Sequence, residues 1–121
     1  MRYRRQETLR YSFETPPPAR FKLIKGGEKH VHSSTGKGQV IDISPGGMKL
    51  FTTVHIPSEK KVQLFVHTAI AQVDLSFTAD VVWENQVNDG YHYGLDFIGD
   101  HQDKVIHALK EYRKTSQESS T

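Results

Sequence analysis

The segment Asp42-Ile43-Ser44-Pro45-Gly46-Gly47 supplies a carboxylate, a hydroxyl and a tight glycine turn, roughly thirty residues after an N-terminus carrying Arg2, Arg4, Arg5 and Arg10. A carboxylate can accept two parallel N–H bonds, and guanine offers two such donors side by side, N1–H and the N2 amino group. A guanidinium clamps a phosphate or the O6/N7 edge of guanine with two bonds and stacks on a purine face; an ammonium cannot do all three. All four cations of the arm are arginine, although lysine outnumbers arginine in the rest of the chain. Ser44 can donate to a phosphate or close the turn on a backbone carbonyl. Gly46 and Gly47 permit positive φ and expose backbone N–H groups to an anion. Taken separately, these are the residues of an ordinary hairpin turn and of a solvated basic tail. Occurring together, they suit an anion that also carries hydrogen-bonding bases, such as a phosphodiester nucleotide.

Other chemistries are poorly supplied. The chain has no cysteine, which excludes disulfides, thiolate zinc sites and cysteine nucleophiles. His30-x-His32 would put two imidazoles on one face of a strand, but no third ligand follows at a metal-site spacing, so no metal is expected. Ser44, Asp42 and a remote histidine have no nucleophile elbow around them, and a small barrel leaves little room for a cleft. No catalytic residue, no enzymatic activity and no cofactor are expected.

At 121 residues the chain fits one core, and its 36% hydrophobic content points to an arm and a tail outside that core. Net charge is only +2, but residues 1–10 hold four arginines against Glu7. A basic arm on a nearly neutral body suggests a local anion contact rather than a nucleic-acid track. No apolar run reaches the roughly 20 residues of a membrane span, and no apolar segment follows the basic N-terminus as in a signal peptide. A soluble cytoplasmic protein without membrane insertion is expected.

The elements that must position these groups follow from periodicity. Residues 1–13 form the arginine-rich arm, and Glu14-Thr-Pro-Pro-Pro18 is a stiff connector separating it from the body. Strands are predicted over 20–25, 39–43, 48–53, 61–67, 73–83 and 91–97, with 28–38 a loop or frayed hairpin. The Asp/Ser/Gly group then sits at a hairpin tip, with Asp42 projecting from the rim. Val73, Leu75, Phe77, Ala79, Val81 and Trp83 are apolar at every second position, the mark of a long half-buried strand. After Gly99, Asp100 is an N-cap, and Val105, Ile106, Leu109 and Tyr112 form a helical stripe. Five to seven antiparallel strands and one amphipathic helix suggest a small β-barrel spanning 14–114, its helix covering one end, with a disordered polar tail at 115–121.

Arg4-Arg5…Arg10, Asp42-x-Ser44-x-x-Gly47, the strand end Val-Val-Trp83-Glu and Tyr93-Gly94-Leu-Asp-Phe97 together resemble the PilZ domain, over about residues 4 to 113. The resemblance implies a six-stranded antiparallel barrel with a C-terminal helix, acting as a bacterial receptor for cyclic di-GMP. It implies Arg5 and Arg10 as the principal clamp, assisted by Arg4. It also implies that Asp42, Ser44 and Gly47, with Gly46 in the same turn, form the barrel-side half of the ligand site, and that Trp83 is similar to a tryptophan found near the ligand in some members. Four residues separate Arg5 from Arg10 where the family has three: either the arm holds one extra residue or Gln6 replaces the first arginine. The expected role is non-catalytic second-messenger signalling, the arm and surface changing on ligand binding to regulate a downstream protein partner. The alternatives are a ligand-silent adaptor acting by protein contact and a single-stranded nucleic-acid binder. The last would need exposed aromatics beside lysines, whereas Phe77, Tyr93 and Phe97 alternate toward the core.

Overall fold

Because successive side chains of an extended backbone face opposite ways, the alternating apolar positions can line one interior while polar positions face out. The computed structural model of the protein describes residues 10–26, 29–30, 35–57 and 61–119. In chain order its elements are β1 (Tyr11–Ser12), β2 (Pro18–Gly26), β3 (Lys29–His30), β4 (Gly36–Ser44), β5 (Gly47–Thr52), β6 (Val62–Ile70), β7 (Val73–Val87), β8 (Gly90–Phe97) and α1 (Gln102–Ser119). The six longer strands pair antiparallel in the order β4-β5-β8-β7-β6-β2, and β2 returns to β4, closing a six-stranded barrel. Closure leaves none of the six as a free edge strand. The two-residue strands β1 and β3 add to β4 and β2.

Val40, Leu50, Leu64, Val66, Phe77, Ala79 and Leu95 fill the barrel, and Val105 and Ala108 of α1 are fully buried with them. Each such apolar side chain larger than alanine contributes about 1.5–3 kcal/mol on burial. Asp100 accepts the N–H of Gln102 at the helix start (3.2 Å), as its N-cap role requires. Next to it, His101 sets its ring edge-on to the stacked Phe77–Phe97 pair, whose centroids are 3.9 Å apart. The helix stripe therefore packs on its own barrel. Among the described residues, no helix is long and apolar enough to cross a membrane.

Two expected boundaries move. The helix continues to Ser119 through residues read as a disordered tail; no Gly or Pro interrupts it, and extending a formed helix costs little per residue. The end of the arm is also part of the body rather than free of it. Tyr11 and Ser12 pair with Ile43 and Asp42, and Phe13 is buried edge-on to Tyr112 (5.3 Å). The prolines do not act as a spacer. The Pro17 carbonyl accepts Val40 N–H at 2.9 Å, and Pro18 already opens β2 opposite Gln39. The gain from burying Phe13 outweighs the freedom lost in docking this short segment.

The β6–β7 hairpin turns through Ala71 and Gln72, both left-handed (φ 52° and 68°). Neither residue type favours that region, which costs an L-residue about 1–2 kcal/mol. Gln72→Gly is expected to raise stability by about 1 kcal/mol, read as a higher denaturation midpoint with unchanged slope.

Candidate ligand-binding site

Two β-bulges build the site. In β4, Val40 pairs with Leu50 but Asp42 pairs with Lys49, so Ile41 is an extra residue. In β7, Val81 pairs with Leu95 but Trp83 pairs with Gly94, so Val82 is extra. Each extra residue reverses the alternation beyond it. Val40 and Ile43 can therefore both face the core while Asp42 faces out. By the same reversal Trp83 leaves the inward series Val73–Val81 and lies on the outer wall, 46% exposed. This corrects the strand periodicity, which placed the indole on the core face.

Cross-strand partners share a face, so the pairings Asp42–Lys49, Lys49–Gly94 and Gly94–Trp83 form one continuous row across β4, β5, β8 and β7. Ser12 of β1 extends the row beyond Asp42. The site is thus a stripe on the outer wall, not a hairpin tip, and Asp42 does not project from the rim. A cavity of about 270 Å³ lies over the row, bordered by Arg10, Asp42, Lys49, Trp83, Gly94 and Asp96.

Arg10 Nη1 donates to Asp42 Oδ1. Lys49 Nζ lies 3.8 Å from Asp42 Oδ2. The carboxylate is only 7% exposed, so both of its oxygens face a cation in a partly dry setting, where such bonds are strong. Arg10 also borders a second cavity, of about 350 Å³, with Tyr11, Pro45, Ile106, Leu109 and Arg113. It therefore stands between the outer-wall row and the face of α1.

The hairpin residues take structural parts. Ser44 is buried and donates to the Gly47 carbonyl at 3.3 Å, the turn-closing one of its two expected uses. Gly46 is exposed, and its carbonyl accepts Phe97 N–H at 2.9 Å. Among the described residues only Gly99 is a glycine of positive φ, so the expected left-handed conformation at Gly46 or Gly47 does not occur. Gly47 is required for a steric reason instead: a Cβ there would overlap the Leu95 carbonyl of the neighbouring strand. Gly94 has the same kind of role, because the Trp83 ring occupies the space a Cβ would take.

Of the residues singled out in the sequence, Arg10, Asp42 and Trp83 meet around one cavity, while Ser44, Gly46 and Gly47 shape the adjoining hairpin. Arg4, Arg5 and His32 lie outside the described residues. Lys49, Gly94 and Val82 were not singled out as site residues. Lys49 was within reach of the sequence, since it follows Gly47 by two residues on the return strand and so lies near Asp42. Among the described residues no cluster of three or more His, Asp or Glu groups offers a metal site.

His92 follows on β8, edge-on to Phe51 at 5.8 Å. Burial and the Lys49 charge lower its pKa below the usual 6.5, with Asp42 opposing. The unfolded chain therefore takes up this proton before the folded one. Stability from His92 is complete above about pH 6.5 and is lost as pH falls through its lowered folded value. His92→Gln is expected to flatten the decline in melting temperature between neutral pH and about pH 5 relative to wild type.

The family model described as the PilZ domain matches residues 3–113. No curated protein matches the chain. Among solved structures, the crystal structure of the PilZ domain of CeSA from a cellulose-synthesizing bacterium is similar in fold. The similarity has a TM-score of 0.57 at 12% identity and covers 88% of this chain and 98% of that one.

Proposed function

This chain belongs to the PilZ domain family, a family of cyclic di-GMP receptors, and from that premise we propose that it is a non-catalytic receptor for this dinucleotide. The observation that carries the proposal is the meeting of Arg10, Asp42, Lys49 and Trp83 around one outer-wall cavity. Cyclic di-GMP brings two phosphodiester charges and guanine edges that match these groups. Arg10 leaves Asp42 Oδ1 for a phosphate, and Asp42 accepts guanine N1–H and the N2 amino group in its place. The exposed indole of Trp83, backed by Gly94, offers a stacking surface, and Lys49 adds a second cation. Charge-assisted bonds, each worth about 1.5–3 kcal/mol, are exchanged rather than lost, so no buried carboxylate is left unpaired. Arg4 and Arg5 would add cations from the arm, and Ser44, Gly46 and Gly47 hold the hairpin that presents Asp42.

The output would be a change of surface. Arg10 adjoins β1, and Tyr11 and Phe13 make ring contacts with Tyr112 of α1 at 5.6 and 5.3 Å. Moving Arg10 from carboxylate to phosphate would shift this aromatic junction and the helix face that a downstream protein partner reads. Titration calorimetry with cyclic di-GMP at low-micromolar protein is expected to give a binding isotherm, with a parallel change in Trp83 fluorescence. Neither signal would appear in a ligand-silent adaptor, the reading favoured by the longer Arg5–Arg10 spacing.

A further inference from the structure

On the opposite side of the barrel from β8, the outer face of β2 is cationic. Arg20, Lys22 and, beyond a bulge at Ile24, Lys25 pair across to His67, Phe65 and Gln63 of β6. Arg20 also pairs with Lys37 of β4, so Lys37, Arg20 and His67 form one transverse row. Like charges directly opposite on neighbouring strands destabilise a sheet. Among the described residues, neither Arg20 nor Lys37 has a carboxylate within ion-pair distance that would relieve this. At the margin of the patch Asp74 faces His67 at 3.7 Å, and Asp80 is bonded to Gln63 at 3.2 Å. A cavity of about 410 Å³ lies along the row, its lining including Arg20, Lys37, Gly38, His67 and Ala69. Beside it Phe65 stands 40% exposed.

We propose that this face docks an acidic amphipathic helix of a partner protein, at a surface separate from the Arg10–Asp42 site. Arg20 and Lys22 are two residues apart on a strand, about 6.6 Å, close to the roughly 6 Å between helix positions i and i+4. Carboxylates at that spacing meet successive cations, while an apolar residue of the same helix covers Phe65. One edge of β2 is paired with β6 from Ala19 to Gly26, and the other with β4 at Pro18–Phe21 and with β3 at Lys25 and Gly26, so a partner docks through side chains rather than by strand addition. A single-stranded nucleic acid is the poorer fit, because successive bases need several exposed aromatics and, among the described residues, Phe65 is the large exposed aromatic of this patch.

The test uses fluorescence anisotropy with a labelled alanine-based helical peptide carrying Glu at every fourth position and leucines beside them, against a labelled oligothymidylate. The intact protein is expected to bind the peptide more tightly than the oligonucleotide, and more weakly as salt is raised. Arg20→Glu with Lys37→Glu is expected to weaken peptide binding at least about tenfold, and Arg10→Ala to leave it unchanged. Lys37→Glu alone is expected to raise the melting temperature while weakening peptide binding, because it turns a like-charge cross-strand pair into an opposite-charge one; misfolding cannot give that combination. Tighter binding of the oligonucleotide, absence of peptide binding, or equal peptide binding by the double variant would each overturn the proposal.

Discussion

Arg10→Ala is expected to lower cyclic di-GMP affinity by about 30- to 100-fold, the equivalent of roughly 2–3 kcal/mol. The variant would lose the guanidinium fork proposed for the phosphate, and among the described residues the Asp42 carboxylate, 7% exposed, would keep Lys49 at 3.8 Å as its ion-pair partner. A carboxylate deprived of its closer cation is costly in that setting, so the variant should also melt earlier, by about 1–2 kcal/mol. Arg10→Lys separates the two effects. An ammonium restores a charge beside Asp42 and most of the stability, but it lacks the planar fork that fits a phosphate. Its affinity should therefore stay about tenfold below wild type while its melting temperature recovers. Calorimetry and thermal denaturation on the three proteins decide the matter. Wild-type affinity in Arg10→Ala would move the ligand elsewhere on the molecule.

Gly94→Ala is expected to remove most cyclic di-GMP binding without unfolding the barrel. A methyl group on Gly94 would occupy the volume of the Trp83 indole, which rests directly on the glycine. The indole is on the outer wall and 46% exposed, so it can swing away into water while the core on the other face of β8 stays packed. The ring would then no longer offer a flat surface beside the cavity, and stacking worth about 1–3 kcal/mol per base would go with it. Trp83 is the chain's single tryptophan, so its emission reports this site alone. A red-shifted emission in the variant, a lost ligand-induced change and an unaltered far-ultraviolet spectrum are the expected results. Ligand-induced quenching equal to wild type would show that the indole does not stack on the ligand.

Much of the barrel was legible because a half-buried strand writes its two faces into the sequence. The series from Val73 to Val81 is inward as its period requires, and the change to helical spacing after Gly99 marks α1. Asp42, Ser44 and Gly47 were legible as a hairpin group because turn residues act locally. The arm is less legible. Phe13 carries no local signal that distinguishes a docked aromatic from a solvated one; its burial depends on Tyr112, far away in the chain.

By itself, the sequence determined the six longer strands, the helix, the hairpin and the supply of arginines, since each depends on residues close together along the chain. Only the tertiary structure decided which of those residues meet. The single extra residues Ile41 and Val82 reverse the alternation of β4 and β7, and register with β5 and β8 then brings Asp42, Lys49, Gly94 and Trp83 into one row. A bulge adds one residue to one strand, and its effect exists only relative to the partner strand; periodicity within a single segment does not contain it.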